Sequence, residues 1–486
     1  MQIAGNLALL TDLYQLTMVG GYVREGKANQ WANFDYFFRR VPDDGGYCVL
    51  AGLEDLIQYI VNLRFTQDDL SYLESLGLFS REVLDYLESF KFTGDLWAMP
   101  EGTVVFPHEP LIRVKAPLPQ AQLIETALLN IMNFQTLIAT KAARVCWAAN
   151  GGPVVDFGLR RAHGPNGGLM ASRAAYIGGA EGTSNVLAGR LYGIPVRGTH
   201  AHSWVESFPS EIEAFRAYVA SYPDSSILLV DTYDTLRSGV PNAIQVAKEL
   251  KEMGYRLRGI RLDSGDLAYL SKEARKMLDA AGFKDAIIVA SSDLDEWLIE
   301  SLRRQGAKVD VWGVGTRLVT SYTTPALGGV YKLTALDEDG KRMVPKIKRS
   351  DNPDKITNPG VKKVVRMFDP SGQMRGDVIF LEEERLPRGR SFTAHHPVYP
   401  HVYKTYPEDF QMEELLVPIF QKGKLVYKSP PLKEIRDNTL KNLAKLDPAY
   451  KRFHNPHVYH VSLSPRLYRV KQMLLKKATE GFSSAK

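Results

Sequence analysis

His200 and His202 stand two residues apart in the stretch Gly198-Thr199-His200-Ala201-His202-Ser203-Trp204. Imidazole changes charge near neutral pH, so such a pair can carry a proton or a phosphoryl group, or ligate a metal. The plainer reading is that one of the two rings satisfies a backbone carbonyl. Further on, Arg261-Leu262-Asp263-Ser264-Gly265-Asp266 sets a cation beside acceptors suited to ribose hydroxyls or a hydrated Mg2+. Ser291-Ser292-Asp293 and Gly313-Val314-Gly315-Thr316 supply small residues whose backbone N–H groups can reach an anion at a helix start. Turn chemistry explains the GxGT equally well. The ligand that suits all of these stretches is a sugar phosphate, positioned by carboxylates and gripped by glycine turns.

For these residues to act together, one architecture must bring them to one place. From about residue 138 the chain shows short apolar runs of the kind found in strands buried on both faces, over 154–157, 195–199, 227–231, 259–263, 286–290 and 309–313. Helices predicted over 242–253 and 267–281 are followed by Gly254 and Gly282, the left-handed stop expected at helix ends. The last four strands recur at roughly 25 to 30 residues, the length of a βαβ unit, which predicts parallel strands with right-handed crossovers in a barrel or an open sheet. Polar groups stand where each strand gives way to a loop: Asp156 with Arg160 and Arg161, Thr199 with His202, Asp231 with Asp234, Arg261 with Asp263, then the two small-residue turns. A closed barrel brings all its strand ends to one rim.

Residues 1–137 read as a mixed α+β domain, 138–340 as the α/β barrel, and 341–486 as a region packing on the first domain. In the amino-terminal part, Thr11 or Asp12 can cap a helix carrying Leu13, Tyr14, Leu16 and Met18. Helices are expected over 55–63 and 67–76, and strands over 34–40, 94–98, 103–106 and 111–114. The tail carries helices over 432–443 and 465–476. Its His395, His396 and His401 are interrupted by Pro397 and Pro400, which predicts a surface loop in preference to a metal site.

At 486 residues the chain is too long for one ordinary core. With 44% hydrophobic and 24% charged residues it has the composition of a soluble globular protein. No apolar run approaches the ~20 residues of a membrane span. No basic stretch precedes the apolar residues 3–10 as in a signal peptide, so a cytoplasmic protein without a membrane partner is expected. Cys48 and Cys146 cannot form a disulfide framework or a zinc cluster. The net charge of +6 conceals an asymmetry: residues 341–486 hold 29 Lys and Arg against 15 Asp and Glu, a balance of +14, leaving −8 for the rest. Those basic residues are spread among Pro, Tyr and Leu without an aromatic RNA-binding signature, so no nucleic-acid partner is expected. A solvated face, or one turned toward an anionic small substrate, fits them better.

An HxH after a strand also opens the metal site of amidohydrolase barrels, making a metal-dependent hydrolase the rival enzyme. Such a site draws further histidines from later strands, yet none occurs between His202 and His395. A non-catalytic binding protein is the other alternative.

Thr11-Asp12-Leu13-Tyr14-Gln15-Leu16-Thr17-Met18, Gly158-Leu159-Arg160-Arg161-Ala162, Gly182-Thr183-Ser184-Asn185, Gly198-Thr199 with His202-Ser203, Arg261-Leu262-Asp263-Ser264-Gly265-Asp266 and Gly313-Val314-Gly315-Thr316 resemble, in that order, the motifs of the nicotinate phosphoribosyltransferase family. The resemblance runs from residue 6 to about 366. It implies a type II phosphoribosyltransferase fold, an irregular α/β barrel joined to a domain built from both chain ends, working as a homodimer with a shared active site. It further implies that nicotinate and phosphoribosyl pyrophosphate give nicotinate mononucleotide and pyrophosphate for NAD salvage, with ATP as co-substrate, Mg2+ as cofactor and hydrolysis coupled through a phosphohistidine. By the same resemblance His202 is the phosphorylated residue, acting with Asp231 and Asp263, which address ribose and Mg2+. Tyr14 would stack on nicotinate from the partner subunit, and Phe157, Arg160, Thr199, His200 and Arg261 would complete the nicotinate end. Ser291, Ser292, Asp293, Gly313, Gly315 and Thr316 would hold the phosphoribosyl phosphates, with no direct protein ligand to the metal assigned. His200 departs from the apolar residue of many relatives and from the Asp of nicotinamide-using cousins. A donor or cation there suits a carboxylate, which favours nicotinate, with the nicotinamide enzyme as runner-up.

Overall fold

The computed structural model describes residues 6–340 and 342–483. The chain divides into two compact units, one comprising Ile138–Pro325 and the other both remaining ends.

In the first unit the apolar runs form a six-stranded parallel sheet. Its order is Gly182–Thr183, Val154–Asp156, Val311–Val314, Ile287–Ala290, Gly259–Leu262, Ile227–Leu229. Leu228, Ile260, Leu262, Ile288, Ala290 and Val314 are wholly buried, which is why these strands show no polar alternation. Helices Val240–Glu252, Leu267–Ala280 and Glu296–Arg304 make the crossovers. Gly254 and Gly282, at φ +84° and +88°, follow the first two as the left-handed stops their sequence calls for. The strand expected over 195–199 is reduced to a single parallel bridge from Val196 to Thr183. Among the described residues no ladder joins Val196 to Ile227–Leu229, so the barrel is irregular at this seam.

The second unit starts again at Ala326, not at 341 as the sequence suggested. Strand Gly329–Asp337 belongs there because it pairs antiparallel with Trp31–Phe38, from Ala32 opposite Leu336 to Phe38 opposite Gly329. Asn33 Nδ2 donates to Thr334 Oγ1 across the pair at 2.8 Å. The tail contributes to two sheets of this unit. Met343–Pro345 and Val417–Gln421 join Trp31–Phe38, Ile112–Pro117 and Asp95–Ala98 in one seven-stranded sheet. A further six-stranded sheet, in the order Tyr403–Tyr406, Phe392–His395, Val461–Leu463, Met374–Leu381, Lys362–Phe368, Gln411–Glu414, is built from the tail alone.

A charged cluster around Arg366 lies inside this unit. Arg366 grips Asp377 with two hydrogen bonds of 2.9 and 2.6 Å, and the Tyr459 hydroxyl donates to the same carboxylate at 3.1 Å. Glu109, wholly buried, accepts from Phe106 N–H at 2.7 Å. Its burial, and then the charge of Asp377, push its carboxyl well above the usual range against the pull of Arg366.

Candidate active site

Five of the acids near the strand ends of the barrel unit fall into two groups. Asp234, Asp266 and Asp295 start helical turns: Asp266 accepts from Tyr269 N–H at 3.0 Å, Asp295 from Leu298 N–H at 2.8 Å, and Asp234 from Leu236 and Arg237 N–H. Asp231 and Asp263 cap nothing and remain at the rim.

Arg261, near the end of Gly259–Leu262, ties that rim together. Its Nε donates to Ser291 Oγ at 2.8 Å, Nη1 to Thr199 Oγ1 at 3.0 Å and Nη2 to Asp263 Oδ1 at 2.8 Å. The guanidinium also lies 5.4 Å from the centre of the Phe157 ring. Burial would raise the Asp263 carboxyl. The charge of Arg261, the hydrogen bonds from Ser291 and Arg261, and His202 outweigh it and hold Asp263 below its ordinary value. Asp263 is therefore an anion at neutral pH.

Asp231 Oδ2 accepts from Asp263 N–H at 2.9 Å and from Ser264 Oγ at 2.6 Å. Its Oδ1 is buried without a hydrogen-bond partner. His202 opens the short helix His202–Glu206, and its Nδ1 is 3.1 Å from Thr232 Oγ1. The other ring nitrogen, Nε2, stands 4.0 Å from Asp231 Oδ1 and 3.8 Å from Asp263 Oδ2. The structure thus brings His202, Asp231, Asp263, Arg261, Thr199 and Ser291 into one cluster. Thr232, which sequence reasoning passed over, joins them; its adjacency to Asp231 was the available signal.

Two expected roles change. His200 offers neither a free donor nor a cation: its Nε2 accepts from Leu229 N–H at 3.1 Å and its Nδ1 faces Ala201 O at 3.3 Å. Burial lowers its pKa, with Arg261 and His202 acting the same way. Its ring packs against Tyr218, and it serves the edge strand at the irregular seam by supplying the acceptor a further strand would have given. Ser291 is buried and its hydroxyl is committed to Asp263 and Arg261, so it supports the carboxylate and is not a free phosphate donor.

Phe157 donates its N–H to Val314 O at 2.8 Å, and its ring covers Gly313, where a Cβ would come within 2.5 Å of the ring. That close approach is the reason for glycine at 313. Gly315 precedes the single turn Thr316–Val319. Ser292 and Asp293 are exposed with φ of 101° and 30°, a turn that costs strain in residues other than glycine. Arg160 lies exposed in the turn Leu159–Arg161. In the unit built from the chain ends, helix Leu13–Arg24 buries Leu16, Val19 and Val23 while the Tyr14 ring is half exposed. Asp12 sits at the N-cap position, but its carboxylate accepts from Thr126 Oγ1 and leaves the helix uncapped by side chain.

Whether Mg2+ suits the cluster can be judged from its donors. Mg2+ keeps most of its water and is held by one or two carboxylates together with substrate phosphates. The orphaned Asp231 Oδ1 and the nearby Asp263 Oδ2 fit that demand. Among the described residues no group of three or more His, Cys, Asp or Glu forms an all-protein metal cage.

A family model described as the nicotinate phosphoribosyltransferase N-terminal domain matches residues 9–133. The one described as the nicotinate phosphoribosyltransferase family matches 153–371, and the one for the C-terminal domain matches 361–471. A nicotinate phosphoribosyltransferase of Bacillus subtilis is 49% identical over 462 residues, covering 94% of this chain and 93% of its own. The crystal structure of human nicotinic acid phosphoribosyltransferase matches with a TM-score of 0.85 at 34% identity, covering 96% of this chain and 99% of that one. A nicotinate-nucleotide pyrophosphorylase from Pyrococcus furiosus shares the fold, with a TM-score of 0.69 at 24% identity over 90% of this chain and 96% of that one.

Proposed function

We propose, for a chain that belongs to the nicotinate phosphoribosyltransferase family, that it joins nicotinate to phosphoribosyl pyrophosphate, coupled to ATP hydrolysis, as the entry of nicotinate into NAD salvage. The observation that carries this reading is the pair of carboxylates, one with an orphaned buried oxygen, facing His202 at 3.8 and 4.0 Å above a rim organised by Arg261.

In the proposed reaction the pyridine nitrogen forms a bond to C1 of the ribose while the C1–oxygen bond to pyrophosphate breaks, its electron pair leaving with pyrophosphate. Positive charge grows on the sugar as this happens. Asp263, held ionised by Arg261, and Asp231 are placed to stabilise that charge without a protein nucleophile. Asp231 Oδ1 and Asp263 Oδ2 would hold Mg2+, which supplies neutralisation of the phosphates when bound. Phe157, with Arg261 above its ring, suits a flat anion such as a pyridine carboxylate, while the turns at Ser292–Asp293 and Gly313–Thr316 and the exposed Arg160 suit phosphates. Nicotinate is preferred on the cation at Arg261 and on the relatives; His200, turned to the backbone, no longer bears on it.

ATP would transfer its γ-phosphoryl group to a ring nitrogen of His202, with ADP leaving and water later releasing phosphate. The added negative charge would order the loops around the phosphoribosyl donor. The protein is read as a cytoplasmic homodimer whose site takes Tyr14 from the partner subunit. Among the described residues no helix is long and apolar enough to cross a membrane.

The test is a product assay with nicotinate, nicotinamide and quinolinate in parallel, each with and without ATP. Nicotinate mononucleotide accelerated by ATP supports the reading; turnover of nicotinamide or quinolinate alone overturns it. With γ-labelled ATP, acid-labile label is expected on wild type and His200→Ala and not on His202→Ala. Label persisting on His202→Ala would remove that residue from the coupling.

A further inference from the structure

Below the rim, at the end of strand Val154–Asp156, Asp156 is 1% exposed and held by three neutral donors. Its Oδ1 accepts from Gly158 N–H at 2.8 Å; its Oδ2 accepts from Ser172 Oγ and Thr183 Oγ1, each at 2.8 Å. A buried carboxylate is costly unless its lone pairs are filled, and this one is filled from three separate places in the chain.

Those partners are themselves fixed. Thr183 Oγ1 accepts from Asn185 N–H at 3.0 Å, and Asn185 Nδ2 donates to Ser172 Oγ at 3.2 Å. Asn185 Oδ1 in turn caps helix Val186–Tyr192 through Ala188 N–H. The motif Gly182-Thr183-Ser184-Asn185, which the proposed chemistry does not use, is thus a clamp on Asp156. On the other side, Asp156 fixes the residue after Phe157. Gly158 is so closely enclosed that a Cβ there would lie 2.1 Å from Val319, and its N–H has the Asp156 carboxylate as acceptor. Phe157 is therefore held by its own N–H on Val314 O and by the next N–H on Asp156.

We infer that Asp156 is a positioning residue for the pyridine end of the substrate, holding the Phe157 ring beside Arg261 and making the Gly182–Asn185 turn part of the same rigid piece. Naming the pyridine rests on the proposed function; the rigidity of residues 157–161 does not, and the two can be tested apart. Replacing Asp156 by Asn keeps an oxygen for Gly158 N–H and turns an amide toward two hydroxyls that can rotate to accept. Replacing it by Ala removes the tether.

The experiment combines hydrogen exchange of the 157–161 segment in the free enzyme, steady-state KM for each substrate, and melting temperature as the folding control, on Asp156→Ala, Asp156→Asn and Thr183→Val. Asp156→Ala should exchange faster in 157–161 and raise the nicotinate KM about tenfold or more, the size expected for losing a hydrogen bond to a charged acceptor. The KM for phosphoribosyl pyrophosphate should change by less than about twofold, and Asp156→Asn should recover most of the loss. Thr183→Val should shift the same way and serves as the test if Asp156→Ala does not fold. Equal changes in both KM values, or a lowered melting temperature with neither KM altered, would overturn the inference. If wild type does not turn over nicotinate, the functional reading fails, and exchange alone decides: unchanged exchange in Asp156→Ala would sink the positioning role.

Discussion

Glu109 tests whether the buried charges of the second unit are understood. Two carboxyls, Glu109 and Asp377, share one guanidinium, that of Arg366, and all three side chains are buried. With both acids ionised the cluster would carry a net negative charge away from water, which favours a proton on Glu109, whose carboxyl is pushed up by burial and by Asp377. A group whose folded pKa lies above its unfolded value contributes stability that is complete below the unfolded pKa and is lost as pH rises through the folded one. Glu109→Gln mimics the protonated acid: its oxygen can accept from Phe106 N–H and its amide can donate to Asp377. Relative to this variant, wild type should lose about 1.4 kcal/mol for each pH unit above about pH 5 until the folded pKa is passed. For a unit of this size that corresponds to on the order of 2 °C per pH unit. The assay is the difference in melting temperature between variant and wild type from about pH 5.5 to about pH 8.5 at fixed ionic strength, in which other titrating groups cancel. A difference that stays flat with pH, or one that narrows as pH rises in wild type's favour, would refute the shared proton.

Asp263→Asn should lower kcat by about a hundredfold or more with little change in either KM, because its charge matters most when the ribose becomes cationic; an unchanged kcat with a raised KM would reassign it to ground-state binding. Gly313→Ala pushes a methyl to 2.5 Å from the Phe157 ring and should cost about 1–3 kcal/mol while raising the nicotinate KM, read by melting temperature and steady-state kinetics. Tyr14→Ala should raise the nicotinate KM, a lost aromatic stack being worth roughly 0.5–1.5 kcal/mol beyond its area. Mixing Tyr14→Ala with Asp263→Ala should restore some activity through heterodimers; none, with heterodimers demonstrated, would count against a shared site.

The barrel was legible because its strands are buried on both faces and so read as unbroken apolar runs, and because Gly254 and Gly282 punctuate the helices between them. Strand Gly182–Thr183 was not, since two residues carry no period and its place is set by pairing with Val155 and Asp156. Helix Glu125–Ala149 escaped for a different reason: it is buried around much of its circumference and shows no amphipathic stripe. The tail sheet was hidden by polar strands such as Gln411–Glu414, mostly exposed, and Tyr403–Tyr406, which lie at its two edges. At the site, the residue types announced anion chemistry, but the contacts of Arg261 with Thr199 and Ser291 cross between strands and leave no local trace. The same distance effect concealed that His200 bonds Leu229.

The pairing of Trp31–Phe38 with Gly329–Asp337 sets a timetable for the growing chain. One flank of the early strand waits for its partner until the whole of Ile138–Pro325 and the partner strand itself have been synthesised, roughly 15 to 60 s at usual translation rates. The tail sheet waits longer still, because Val461–Leu463 lies between Phe392–His395 and Met374–Leu381 and arrives almost last. Through that interval the Trp31–Phe38 edge is an open template, so a nascent chain stalled inside the barrel segment is where aggregation, or capture by a chaperone, should concentrate.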